Sequence, residues 1–132
     1  MAGNADMVAF IQARLAEEEQ IARDAGGESW RCPADVPGEV HDRTSGIAFT
    51  VRGAGYDRHI AFQDPARTLA RIETSRVLIG EYVEVAHLDT DRPSADFDSG
   101  RAVGLGFAVR QLAAEWAGHP GYQARWLPRF IR

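Results

Sequence analysis

Apolar residues recur every three to four positions across residues 6–25, with Val8, Ile11, Leu15 and Ala22 on one face, Phe10 and Ile21 widening it, and Arg14, Glu17, Glu18, Glu19 and Arg23 covering the rest. That period predicts a first helix, and Gly26 and Gly27 supply its stop. Residues 29–33 read as a short strand with Trp30 and Cys32 pointing the same way. Residues 34–45, which hold Pro37 and Gly38 and show no period, read as an irregular loop. The period then changes to two. Ile47, Phe49 and Val51 alternate with Ala48, Thr50 and Arg52, the pattern of a half-buried strand. Gly53-Ala54-Gly55 turns the chain, and Ile60 with Phe62 offers a matching apolar face on a returning strand, which makes a hairpin near the middle of the chain.

That returning strand runs without a linker into a helix whose start is written in two residues. Asp64 can accept a hydrogen bond from an orphan N–H of the first turn, and Pro65 has no N–H to lose and a φ already suited to the first helical position. The second helix is predicted over 65–87. Leu69, Ile72, Ile79, Val83 and Ala86 form its stripe, and Val77, Leu78, Tyr82 and Val85 make it apolar on more than one side, as a central helix would be. Residues 88–99 are acidic and broken by Pro93, so they read as a loop ending in Ser99 as a cap. A third helix over 102–117 carries Leu105, Val109, Leu112 and Trp116 at helical spacing and ends at Gly118 and Pro120. Residues 127–132 read as a mobile end. The expected fold is α+β: a single domain of three helices with a small antiparallel sheet built on a central β-hairpin.

Several of these segments bring a resemblance with them. Val8-Ala9-Phe10-Ile11-Gln12-Ala13-Arg14-Leu15, Trp30, His59-Ile60-Ala61 followed by Asp64-Pro65-Ala66-Arg67, and Leu112-Ala113-Ala114-Glu115-Trp116-Ala117-Gly118-His119-Pro120-Gly121-Tyr122 occur in this order over most of the chain. Together they resemble a family of small actinobacterial proteins of unknown function, frequent in Streptomyces and their mobile elements. The resemblance implies no activity. It does imply a Cys- and His-containing stretch between the second and third helices that could hold a metal, and the corresponding residues 86–102 contain no cysteine.

Composition narrows the function classes. At 132 residues the chain is long enough to bury a core without disulfide or metal, and its hydrophobic (45%) and charged (26%) content are those of a globular protein. The net charge of -4 argues against a dedicated nucleic-acid binder. All fifteen basic residues are Arg, which, with abundant Ala and Gly, fits a high-GC genome. The lone cysteine, Cys32, cannot form an internal disulfide. With no signal-peptide pattern and no apolar run of spanning length, a cytoplasmic protein without membrane contact is expected.

Candidate chemistry is sparse. Cys32, His41 and His59 contain the elements of a thiolate and imidazole pair, and Asp57 or Asp64 could orient or assist His59, but no spacing guarantees the hydrogen-bond reach that such catalysis needs. His87, Asp89, Asp91, Asp96 and Asp98 fall in one oxygen-rich segment without the ligand order or turn glycine of a calcium loop, so a solvated loop is the expectation, with no metal and no cofactor. Gly104 and Gly106 lack the preceding strand and third glycine of a dinucleotide fingerprint. The C-terminal Arg125, Trp126, Arg129 and Phe130 interleave cations with flat apolar surface, a mixture that can anchor a partner or stack bases; the alternative is that Tyr122 and Trp126 close the core. The resulting expectation is a non-enzymatic interaction or regulatory module with a protein partner or a homodimeric state. A small hydrolase or transferase using His59 with Asp57, Asp64 or Cys32 is the alternative, and nucleic-acid binding through the tail is the third reading.

Overall fold

The structure is a computed structural model and describes residues 2–43, 46–52 and 55–128. It is α+β. Four helices, α1 (Ala2–Asp24), α2 (Tyr56–Phe62), α3 (Pro65–Val85) and α4 (Phe97–Ala114), accompany a two-stranded antiparallel sheet of β1 (Glu39–His41) and β2 (Ile47–Thr50). Short 3-10 turns follow α3 at Ala86–Leu88 and lie near the end at Ala124–Trp126. The chain divides into two compact units. Unit one comprises the residues up to Leu15 and those from Thr74 onward, and unit two is Ala16–Glu73.

In unit one, Met7, Val8, Ile11 and Leu15 of α1 are buried at the helical spacing anticipated. So are Ile79, Tyr82 and Val85 of α3 and Ala102, Val109 and Ala113 of α4. The stripe of α4 is not the expected one: Leu105, Leu112 and Trp116 are only half-buried, and small residues, Ser99, Ala102, Gly106 and Ala113, face inward with Val109. A buried polar group accounts for Gly106 among them. Tyr82 Oη donates to Asp89 Oδ2 (2.7 Å), and Arg110 Nη2 donates to the same oxygen (2.9 Å). A Cβ on Gly106 would lie 2.3 Å from that oxygen, so only glycine leaves room for it. Burial, and then the bond to Asp89, push the Tyr82 hydroxyl's pKa well above the usual tyrosine value. Phe10, half-buried, stands amid an aromatic cluster with ring centroids at 5.2 Å (Trp126), 5.4 Å (His119), 6.1 Å (Tyr122) and 6.4 Å (Trp116).

In unit two, α1 stops as anticipated. Gly26 and Gly27 adopt positive φ, and the Gly27 N–H returns to the Ala22 carbonyl at 2.9 Å, closing the helix end. The hairpin differs from expectation. β2 pairs with β1, not with residues 59–62, in the register Glu39↔Thr50, Val40↔Phe49 and His41↔Ile47, with an irregularity between Val40 and His41. Strand β1 therefore lies inside the segment expected to be an irregular loop, and residues 59–62 belong to α2, giving a fourth helix. Residues 29–33 contribute one antiparallel bridge, Arg31 to His41, in place of a strand. Residues 44 and 45 of the expected loop and 53 and 54 of the expected turn lie outside the described residues.

Helix α3 keeps its expected start and runs to Val85, close to its expected end at 87. Val77 and Val83 are exposed, however, so its apolar character is not all internal. Helix α4 begins at Phe97, within the expected acidic loop, and its cap is Asp96, not Ser99. The Asp96 carboxylate accepts from the Ser99 N–H (2.8 Å) and the Ser99 hydroxyl (3.0 Å), which together hold it below the usual carboxylate range.

Candidate functional site

The corner between α2 and α3 organises unit two. Asp64 caps α3 as its position before Pro65 predicts, with Oδ1 accepting from the Arg67 N–H at 2.8 Å. Its second oxygen accepts from the Trp30 N–H at 3.0 Å, so the capping carboxylate also pins the strand-like segment around Trp30 beside the corner. Asp57 makes the corresponding tie at the start of α2. Oδ2 accepts from the Gly38 N–H (3.1 Å), and Oδ1 accepts from Arg58 (2.8 Å) and Gly55 (3.1 Å). The Gly38 bond, then those from Arg58 and Gly55, hold the Asp57 carboxyl below the usual carboxylate range.

At the Asp64 anchor lies an open groove of about 680 Å³. Its lining includes Trp30, Arg31, Cys32, Arg58, Phe62 and Arg67, with Asp64 in the wall. The Arg67 guanidinium lies over the Phe62 ring at 4.1 Å from its centroid, a cation–π contact. Trp30 is held edge-on to Phe49 with centroids 5.5 Å apart. Arg31 approaches His41 Nδ1 at 3.5 Å. Among the described residues, none of Arg31, Arg58 and Arg67 forms an ion pair. With Asp64 counted, the wall carries a surplus of two positive charges in a chain whose total is -4. A second hollow of about 420 Å³ shares Ser29, Trp30 and Arg31 and adds Asp42 and Arg43, whose charges offset.

The sequence candidates fall as follows. Cys32 is half-buried and lines the groove, while His59 is exposed on α2 and is not part of that lining. Among the described residues neither makes a side-chain hydrogen bond, so the thiolate–imidazole pair is not assembled; His41 instead contacts Glu39 at 3.1 Å. Asp57 and Asp64 are buried and committed to backbone N–H groups, which leaves neither carboxylate directed at His59. The acidic segment does not converge. Asp89 turns inward to Tyr82 and Arg110, Asp96 caps α4, and His87, Asp91 and Asp98 are exposed. No group of three or more His, Cys, Asp or Glu that could hold a metal exists among the described residues. Arg125 is exposed beside Asp6 (3.3 Å), and Trp126 is 4% exposed, inside the aromatic cluster. Arg129 and Phe130 lie outside the described residues.

Sequence reasoning singled out Cys32 and Asp64 but not Trp30, Arg31, Arg58, Phe62 and Arg67 as a set. The available signal was the repeated neighbourhood of a cation and an aromatic, Trp30 with Arg31 and Phe62 with Arg67. It did not disclose that the Asp64–Trp30 bond brings them together.

The fold defines a small α+β protein. The chain belongs to the family of unknown function DUF6221, matched over residues 4–128, which agrees with the expectation of an uncharacterised family. No curated protein and no solved structure matches it. Among the described residues no helix is long and apolar enough to cross a membrane.

Proposed function

We propose that this protein is a non-enzymatic binding module whose groove in unit two takes an acidic segment of a protein partner. One observation carries the reading: three guanidiniums without carboxylate partners, Arg31, Arg58 and Arg67, line the same groove as the rings of Trp30 and Phe62. Arg presents a planar fork of donors suited to carboxylates, and an aromatic beside it contributes apolar area, the combination that dominates binding hot spots. The hydrolase or transferase reading lacks a comparable support, because the carboxylates near His59 already serve as caps and tethers.

Cys32 supplies a reporter inside the groove. The test measures the rate of Cys32 alkylation and the anisotropy of a labelled peptide of Asp, Glu and Phe, against a neutral peptide and a single-stranded oligonucleotide. The acidic peptide should slow alkylation, bind less tightly as salt rises, and lose about tenfold in affinity in Arg58→Ala/Arg67→Ala. Equal behaviour of acidic and neutral peptides, or preference for the oligonucleotide, would overturn the reading.

A further inference from the structure

The groove's complement occurs on the chain's own surface. Phe97 is 82% exposed, more than any other large hydrophobic side chain described. It is the first residue of α4, directly after the cap, and lies between Asp96 and Asp98. The two bonds that Ser99 donates to Asp96 fix the backbone at the start of α4, so Phe97 and Asp98 project from a main chain that is already ordered. The exposed Asp98 carboxylate has no hydrogen bond or ion pair among the described residues, and Asp91 is likewise exposed and without a partner.

We propose that a second copy of this chain fills the groove, inserting Phe97 against Trp30 and Phe62 while Asp98 meets the guanidiniums of Arg58 and Arg67. This rests on the groove reading above and names its occupant. Charge complementarity supports the choice: residues 91–98 carry three Asp and one Arg, opposite in sign to the groove wall. The aromatic matches too, because an exposed Phe with flanking carboxylates satisfies both parts of a surface made of rings and guanidiniums. Each copy bears one turn and one groove, so each can donate the turn or receive it.

Sedimentation velocity over a range of concentration and salt tests this on the full chain. The wild type should show a mass rising from one copy towards two with concentration and falling back as salt increases. Phe97→Ala alone, and Arg58→Ala/Arg67→Ala alone, should each weaken self-association about tenfold or more. All three residues are exposed, and circular dichroism checks that the variants remain folded. An equimolar mixture of the two variants should regain association, because the intact turn of one fits the intact groove of the other, whereas neither variant gains anything from more of itself. A strictly monomeric wild type, or a dimer indifferent to Phe97→Ala and without rescue in the mixture, would overturn the proposal. If the wild type is monomeric while the acidic peptide still protects Cys32, self-occupancy fails and the groove reading stands. If the peptide also fails, both fall.

Discussion

Asp64 shows how much a single side chain decides here. One oxygen caps α3 and the other holds the Trp30 backbone, so its loss affects a helix start and a groove wall together. Asp64→Ala should cost about 1–3 kcal/mol in urea unfolding, above a simple cap, because it also leaves the Trp30 N–H unpaired. Asp64→Asn retains one acceptor oxygen and should lose less. The capping carboxylates also set the acid response. Asp57 and Asp96 both have folded pKa values below the ordinary 3.8, so each favours the fold above that value, and its contribution disappears as pH falls through the lower folded value. Urea midpoints measured from neutral to strongly acidic pH should drop below the ordinary carboxylate range. Asp57→Asn should start lower and flatten that drop; an unchanged slope would show that Asp57 is not responsible.

At the scale of elements, two glycines of α4 make opposite predictions two residues apart. A Cβ on Gly104 meets nothing within 4 Å, whereas one on Gly106 collides with the Asp89 carboxylate held by Tyr82 and Arg110. Gly104→Ala should therefore raise stability by up to about 1 kcal/mol through helix propensity alone. Gly106→Ala should lower it by about 1–3 kcal/mol by overpacking, and thermal unfolding of the pair distinguishes the two. The same contrast explains which elements could be read from the sequence. Helices α1 and α3 were legible because their periods, the Gly26–Gly27 stop and the Asp64-Pro65 start are local signals. Residues 59–62 read as a strand because Ile60 and Phe62 alternate as a strand would, while α2 is entered through Gly55 (φ 102°) and tied at its first turn by the Asp57 bond to Gly38. That tether spans 19 residues and the Asp64–Trp30 bond 34. Short-range pattern carries no record of either, so the pairing of β1 with β2 and the meeting of Arg31, Arg58 and Arg67 were not legible, although each residue was.

For the molecule as a whole, the two units are unequal in what they bury. Met7, Ile11, Leu15, Ile79, Tyr82, Val109 and Trp126 of unit one are nearly or fully inaccessible, whereas among the described residues of unit two the buried apolar ones are Ala22, Val40, Ala61, Pro65 and Ile72. The sheet of unit two has only two short strands, an arrangement with little stability of its own. Regions with few buried apolar groups open at lower free energy than core helices. Native-state hydrogen exchange should therefore show the amides of His41 and Val51 opening well before those of Val109 and Ala113; identical opening free energies throughout would mean that the chain unfolds as one cooperative body and would refute this. The groove draws its walls from unit two, with Trp30 tied to Asp64 and Arg31 bridged to His41. Arg31 and His41 bond reciprocally through N–H and carbonyl at 2.9 and 2.8 Å, so an acidic peptide in the groove should slow exchange at both while leaving Val109 unchanged. Protection that instead rises equally at Val109 would point to global stabilisation and place the peptide elsewhere.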